Sequence, residues 1–153
     1  MRICQAAAPE HIAQARALIE QYGAWIGIDL SFQGFAAELA GLPGLYAPPR
    51  GRLLLALASG EAAGCVALRP LEEAVCEMKR LFVRPAFRGQ DLGVLLVEQI
   101  VNEARAIGYA QMRLDTLPSM QPAIRLYRAF GFVPCAPYYD TPLRGTIFME
   151  LQL

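Results

Sequence analysis

CEMKRLFVRPAFRGQDLGVLLVEQIVNEARAI, residues Cys76 to Ile107, decides how the rest of the chain is read. Glu77 to Val83 has the composition of a strand. The chain then turns through Arg84-Pro85-Ala86-Phe87 into Arg88-Gly89-Gln90-Asp91-Leu92-Gly93. Beyond the turn, Leu92, Leu95, Leu96, Ile100, Ala104 and Ile107 recur at helical spacing, and Gly108 supplies a stop. A strand that feeds a glycine-bearing loop at a helix N-terminus forms an anion site. The first helical N–H groups have no backbone acceptor, and the peptide dipoles add partial positive charge there. Glycine lets a phosphate approach the backbone, and the Arg88 guanidinium can pair with phosphate oxygens.

Outward from this unit the order is strand, two helices, three strands, helix, strand, helix and two strands. Arg2 to Gln5 predicts a short strand. Pro9 opens a helix carrying Ile12, Ala15, Leu18, Ile19 and Tyr22 and ending near Gly23. Trp25 to Leu30 reads as a loop, and Phe32 to Leu42 as a second helix with Ser31 as N-cap. Gly44 to Gly51 is a turn region, and the broken apolar stretch around it either lines a cavity or packs over a sheet edge. Arg52 to Ala58 and Ala62 to Arg69 form a hairpin across Ser59-Gly60-Glu61. After the long helix, Gln111 to Thr116 alternates like a half-buried strand. Ser119 caps a helix running to Phe130 and stopped by Gly131, and Phe132 to Cys135 and Gly145 to Leu151 close the sheet. This order predicts an α/β (mixed α+β) fold: a mixed, mostly antiparallel sheet with helices on both faces and a central strand–helix–strand unit.

The composition narrows the function. With 153 residues, 55% hydrophobic and 18% charged, residues 1–153 are expected to form one globular domain. Formal net charge is zero, so neither nucleic acid nor a membrane surface is an expected partner. No apolar run is long enough to span a bilayer and the N-terminus lacks a signal-peptide core, so the cytoplasm is the expected compartment. Cys4, Cys65, Cys76 and Cys135 form no C-x-x-C pair and His11 is the only histidine, so no metal site is expected. Cys65 reads as a small buried hydrophobe in a strand.

Arg88-x-x-x-x-Gly93 after a strand, followed by AIRLYRAFGF from Ala123 to Phe132, resembles the GNAT superfamily of acyl-CoA-dependent N-acyltransferases. The first motif is similar to that family's Arg/Gln-x-x-Gly-x-Gly/Ala, with Asp91 in place of the middle glycine. The second is similar to its Ala-x-x-Leu-Tyr-x-x-x-Gly-Phe, and together they cover nearly the whole chain. The resemblance implies a sheet whose fourth and fifth strands splay at a bulge, with the pantetheine arm of coenzyme A in the gap. It implies main-chain contacts from Leu81, Phe82 and Val83, and diphosphate contacts from Arg88, Gly89, Gln90, Asp91, Leu92 and Gly93. Where the family often has an asparagine, this chain has Met120.

The implied activity is transfer of an acetyl group from acetyl-CoA to a primary amine, of a small molecule or an exposed amino group, by direct attack in a ternary complex. That chemistry needs no covalent nucleophile, in accord with the absence of a Ser/His/Asp or Cys/His arrangement. Tyr127 falls where the family places the acid that protonates the departing thiolate; it also shares a face with Ala123, Ile124 and Phe130, as a core tyrosine would. Glu77 is the candidate general base, or else the partner of Lys79 in a salt bridge. Tyr138, Tyr139 and Arg80 are candidate acceptor contacts. Asp91 either repels the diphosphate or folds back to cap the helix. A non-catalytic acyl-CoA-binding or interaction protein on the same fold is the alternative, and a homodimer is left open.

Overall fold

Ser59 and Gly60 hold φ of 51° and 84°, the two left-handed positions of a two-residue hairpin turn. In the computed structural model, which describes residues 1–153, this turn sends β2 (Arg52–Ala58) straight back as β3 (Glu61–Pro70). Strand β1 (Arg2–Gln5) pairs with the outer side of β2, and β4 (Val75–Val83) pairs antiparallel with β3. Strand β5 (Gln111–Thr116) lies parallel to β4, and β7 (Ile147–Gln152) runs antiparallel to β5 along its whole length. The two-residue β6 (Val133–Pro134) closes the order β1-β2-β3-β4-β5-β7-β6. The β4–β5 pair is the only parallel one, so the sheet is mixed and mostly antiparallel, as the element order implied.

Alternation along β2 and β3 divides the core in two. Leu53, Leu55, Leu57, Cys65 and Ala67 face one side, where α1 (Pro9–Ile26) covers them with Ala15, Leu18 and Ile19. Leu54, Ala56, Val66 and Leu68 face the other, under Leu92, Leu96, Val97, Ile100 and Val101 of α3 (Leu92–Ile107). Burial of this kind is worth roughly 1.5–3 kcal/mol per large aliphatic side chain. Cys65 is fully buried in β3, and desolvation pushes its thiol up to about 12.

Several local expectations are corrected. Helix α1 does not end near Gly23 but continues to Ile26, stopped by Gly27 at φ 71°. Gly23 is there for space: a Cβ would sit 2.8 Å from the Phe35 ring. The second helix is split into a 3₁₀ turn, Ser31–Gln33, and α2 (Phe35–Ala40) by the left-handed Gly34. Ser31 does not cap with its side chain; its N–H donates to Asp29 Oδ1 at 2.8 Å. Helix α4 is Gln121–Ala129, with Met120 and not Ser119 at the N-cap position. On α3 the buried stripe runs through Val97 and Val101, while Leu95 is exposed. No helix is long and apolar enough to cross a membrane.

Candidate active site

The site is made where the sheet comes apart. β4 and β5 are paired only from Val75 opposite Gln111 to Glu77 opposite Arg113; beyond that they diverge. The cause lies on the β3 side. There Cys65 pairs with Phe82 and Ala67 with Lys79, so β4 carries one residue more than β3 across the same span. Arg80 takes up the extra length at φ 62°, a β-bulge that bends the strand away from its neighbour. Its side chain turns into the α1 layer, where Nε and Nη2 donate to the two Glu38 oxygens at 2.8 and 2.9 Å. The rings of Phe35 and Tyr22 lie 5.1 and 5.7 Å from the guanidinium carbon.

The gap left between the strands is a narrow cleft of about 50 Å³, bounded by Met78 to Leu81 on one side and Leu114 to Leu117 on the other. Ile26, Ile28 and Leu30 roof it. Around Gly44 to Gly51, Tyr46 is buried in the core on the α1 side and, with Gly44 and Leu45, also lines a separate pocket. At the α4 end of the cleft stand Met120 and Tyr127. Tyr127 is 7% exposed, with the Phe132 ring tilted against it at 5.8 Å between centroids, so it belongs to the core and lines the cleft at once. Its hydroxyl has no hydrogen-bond partner in the protein. Desolvation, with smaller contributions from Tyr22 and Asp115, raises its pKa above the ordinary phenol value.

The loop after β4 has the form expected of an anion site. The first ladder bond of α3 is from Leu95 N–H to Asp91 C=O at 3.1 Å, which leaves the N–H groups of Leu92, Gly93 and Val94 without backbone acceptors. Gly89 is left-handed at φ 81°. Asp91 is left-handed too, at φ 59°, and its carboxylate makes no capping bond. The capping alternative for Asp91 is thereby corrected: its backbone takes the conformation a glycine would favour, and its charge stays exposed at the helix end. Arg88 Nε donates to the Val83 carbonyl at 2.9 Å, with the guanidinium carbon 4.9 Å from the Trp25 ring. The slender gap, the free N–H row and the unpartnered phenol at the far end fit a linear, amide-rich, diphosphate-bearing cofactor.

On the α1 side of the sheet the cleft opens into a polar field. Glu77 is 1% exposed, and three groups converge on it: Arg69 Nε donates to Oε1 at 2.7 Å, Tyr138 Oη donates to Oε2 at 2.6 Å, and Lys79 Nζ lies 3.8 Å away. The ion pair with Lys79 is therefore present, as part of a larger cluster that engages both oxygens. Burial, opposed by Glu77, lowers the pKa of Lys79 below the usual lysine value. Tyr139 donates to Asp115, and both tyrosine rings meet Phe148 edge-on. Asp115 and Gln33 line the cleft and escaped the sequence reading. Asp115 sits on the outward face of an alternating strand, where a carboxylate is ordinary; only the divergence of β4 and β5 turns that face into a site wall.

The fold agrees with that of known proteins the chain resembles. A family model described as the acetyltransferase (GNAT) family matches residues 16–132, and the chain belongs to that family. An uncharacterized N-acetyltransferase of Schizosaccharomyces pombe is 43% identical over 147 residues, covering 95% of this chain and 90% of its own. The crystal structure of a Klebsiella pneumoniae chain assigned as an acyl-CoA N-acyltransferase matches with a TM-score of 0.79 at 32% identity, covering 99% of this chain and 97% of that one. A Salmonella typhimurium chain assigned as an acetyltransferase, solved with its cofactor acetyl-CoA, shares the fold at a TM-score of 0.70 and 22% identity, over 99% and 92% of the two chains. The protein is an N-acetyltransferase, and enzymes of this family draw their acetyl group from acetyl-CoA.

Proposed function

We propose that this enzyme acetylates a primary amine by direct attack in a ternary complex, in the cytoplasm, with the amine entering from the α1 side of the sheet. The observation that carries the reading is the gap between β4 and β5, with free helix N–H groups at one end and the unpartnered Tyr127 hydroxyl at the other. Bound acetyl-CoA supplies a thioester acetyl group that an amine can attack without a covalent enzyme intermediate. Main-chain groups of Leu81, Phe82 and Val83, released from pairing with β5, hold the amide-bearing arm. The N–H groups from Gly89 to Gly93 hold the diphosphate, and Arg88 adds its Nη fork, which makes no other bond.

Tyr127 holds a proton at Oη, and its raised pKa keeps that proton in place until a thiolate needs it. Two carboxylates stand on the acceptor side. Glu77 has both oxygens engaged and serves to hold Lys79, Arg69 and Tyr138 in register. Asp115 accepts only from Tyr139 and lines the cleft itself, so it is the group that receives the amine proton, directly or through water. Thiol release from acetyl-CoA with a panel of primary amines tests the activity. Calorimetric titration with CoA tests the cofactor site: Arg88→Glu should weaken binding substantially, and equal affinities for the two proteins would overturn the assignment.

A further inference from the structure

We infer that the acetyl acceptor carries a carboxylate beside its amine: a small amino-carboxylate such as a free amino acid, its acid group on the Arg69 guanidinium and its amine at Asp115. This rests on the transferase reading above. The cations on this face of the sheet are not equivalent. Arg80 is closed off by its two bonds to Glu38, and Arg113 is held by Glu150 at 2.9 Å and Glu72 at 3.7 Å. Arg84 pairs with Glu61. Arg69 differs: only Nε is engaged, by Glu77, while its two Nη groups have no partner and its side chain is 34% exposed. A guanidinium held by Nε presents its Nη pair as a planar fork, the shape a carboxylate matches bidentately.

A cavity of about 290 Å³ opens onto that fork, walled by Phe32, Gln33, Glu38, Glu77, Lys79 and Tyr139, with Asp140 exposed on the rim and free of any ion pair. Gln33 and Lys79 line both this cavity and the cleft between the splayed strands. A ligand that touches both therefore runs from Arg69, past the Lys79 ammonium, to Asp115. The open donors and acceptors divide along the same line. In the outer cavity Glu38 is held by Arg80, and Glu77 by Arg69, Lys79 and Tyr138, which leaves the two Arg69 Nη groups there as donors without a partner. Asp115 faces the inner cleft with a tyrosine hydroxyl as its only partner. A zwitterion answers both ends, whereas a simple alkylamine leaves the Arg69 fork desolvated without an acceptor, and a diamine sets a second cation against it.

The test is thiol release from acetyl-CoA with free amino acids, each paired with its amide and its decarboxylated amine. The amino acid should exceed its carboxylate-free partners in kcat/KM by roughly 10- to 100-fold, the worth of a charge-assisted hydrogen-bonded contact. Arg69→Gln should collapse that ratio, chiefly by raising KM for the amino acid, and Arg69→Lys, which keeps the charge but not the fork, should restore part of it. Melting curves of both variants establish that they are folded; if Arg69→Gln is not, the Arg69→Lys ratio decides. Equal or better use of the carboxylate-free amines, or an unchanged ratio in a folded variant, overturns the inference and leaves the transferase assignment standing. No thiol release with any amine, by protein that binds CoA, removes both.

Discussion

Replacing Asp91 separates two effects that its position combines. Its left-handed backbone suits Asn and Gly and penalises Ala, and its uncapped carboxylate sits at the end of α3 where a diphosphate would bind. The N–H groups of Leu92 to Val94 span one helical turn, which puts the two charges about 7 Å apart. In a bulk-water dielectric that separation costs about 0.6 kcal/mol per phosphate charge, or about 1.2 kcal/mol for two. Screening at 10 mM salt leaves about 1 kcal/mol, at 0.1 M about 0.6 kcal/mol, and at 1 M almost nothing. Asp91→Asn should therefore tighten CoA binding about fivefold at 10 mM salt, about threefold at 0.1 M and not measurably at 1 M. Asp91→Gly should match those gains. Asp91→Ala should bind CoA similarly but melt lower, by the equivalent of about 1 kcal/mol, because alanine resists φ near 59°. Calorimetric titrations at three ionic strengths and melting curves of the apo proteins supply the data. Weaker binding by both Asn and Gly variants at every salt would show that the carboxylate orders the loop, and the repulsion argument would be wrong.

Tyr127→Phe should lower kcat by roughly 100-fold with CoA affinity unchanged. Because the hydroxyl has no partner to lose, its melting temperature should barely move; a large fall would return Tyr127 to a purely structural role. Arg80→Ala should destabilise the fold by about 3 kcal/mol in urea titration, since it strands Glu38. Burial alone would raise the pKa of Glu38, but the Arg80 bonds hold it below its unfolded value. The stability from this pair is thus fully present above pH about 4.3 and is lost as pH falls through the lower folded value, so wild-type stability should decline there and that of Arg80→Ala should decline less. Gly64→Ala sets a methyl group 2.8 Å from the Phe82 carbonyl, so both the melting temperature and CoA affinity should fall, by about 1–3 kcal/mol in stability. Unchanged CoA affinity in a folded Gly64→Ala protein would mean that β4 does not hold the cofactor arm.

The parts of the fold that follow from local chemistry were legible in the chain. Pro9 at a helix start, the Ser59-Gly60 turn and the period of Gln111 to Thr116 each depend on residues a few positions apart. The misread boundaries depend on distant ones. Gly23 looks like a stop until Phe35, brought over by α2, is seen to occupy the space where a Cβ would go. The bulge at Arg80 was hidden for the same reason: arginine is not a residue that advertises φ near 62°, and what holds it there is Glu38, 42 residues back. The divergence of β4 from β5 entered the sequence reading only through resemblance. With it hidden, Asp115 and Gln33 had no visible claim to a site, and the uncommitted Arg69 fork could not be told from the spent ones.

One property of the bulge reaches beyond the site. Glu77 and Lys79 point to the α1 layer; after the extra residue, Phe82 points there too, while Leu81 and Val83 join the core under α3. Were Arg80 simply absent from the chain, Lys79, Leu81 and Phe82 would alternate without a break. Every side chain would keep its face, and β4 could run on beside Leu114 to Thr116 as an unbroken strand. The polypeptide would have lost one residue and regained a continuous sheet, at the cost of an unpaired Glu38. The cleft between β4 and β5, however, would have closed. At this position chain length separates a closed sheet from one with a cleft. A single-codon deletion, which in most strands would scramble which side chains face the core, would here spare the core and remove only the opening.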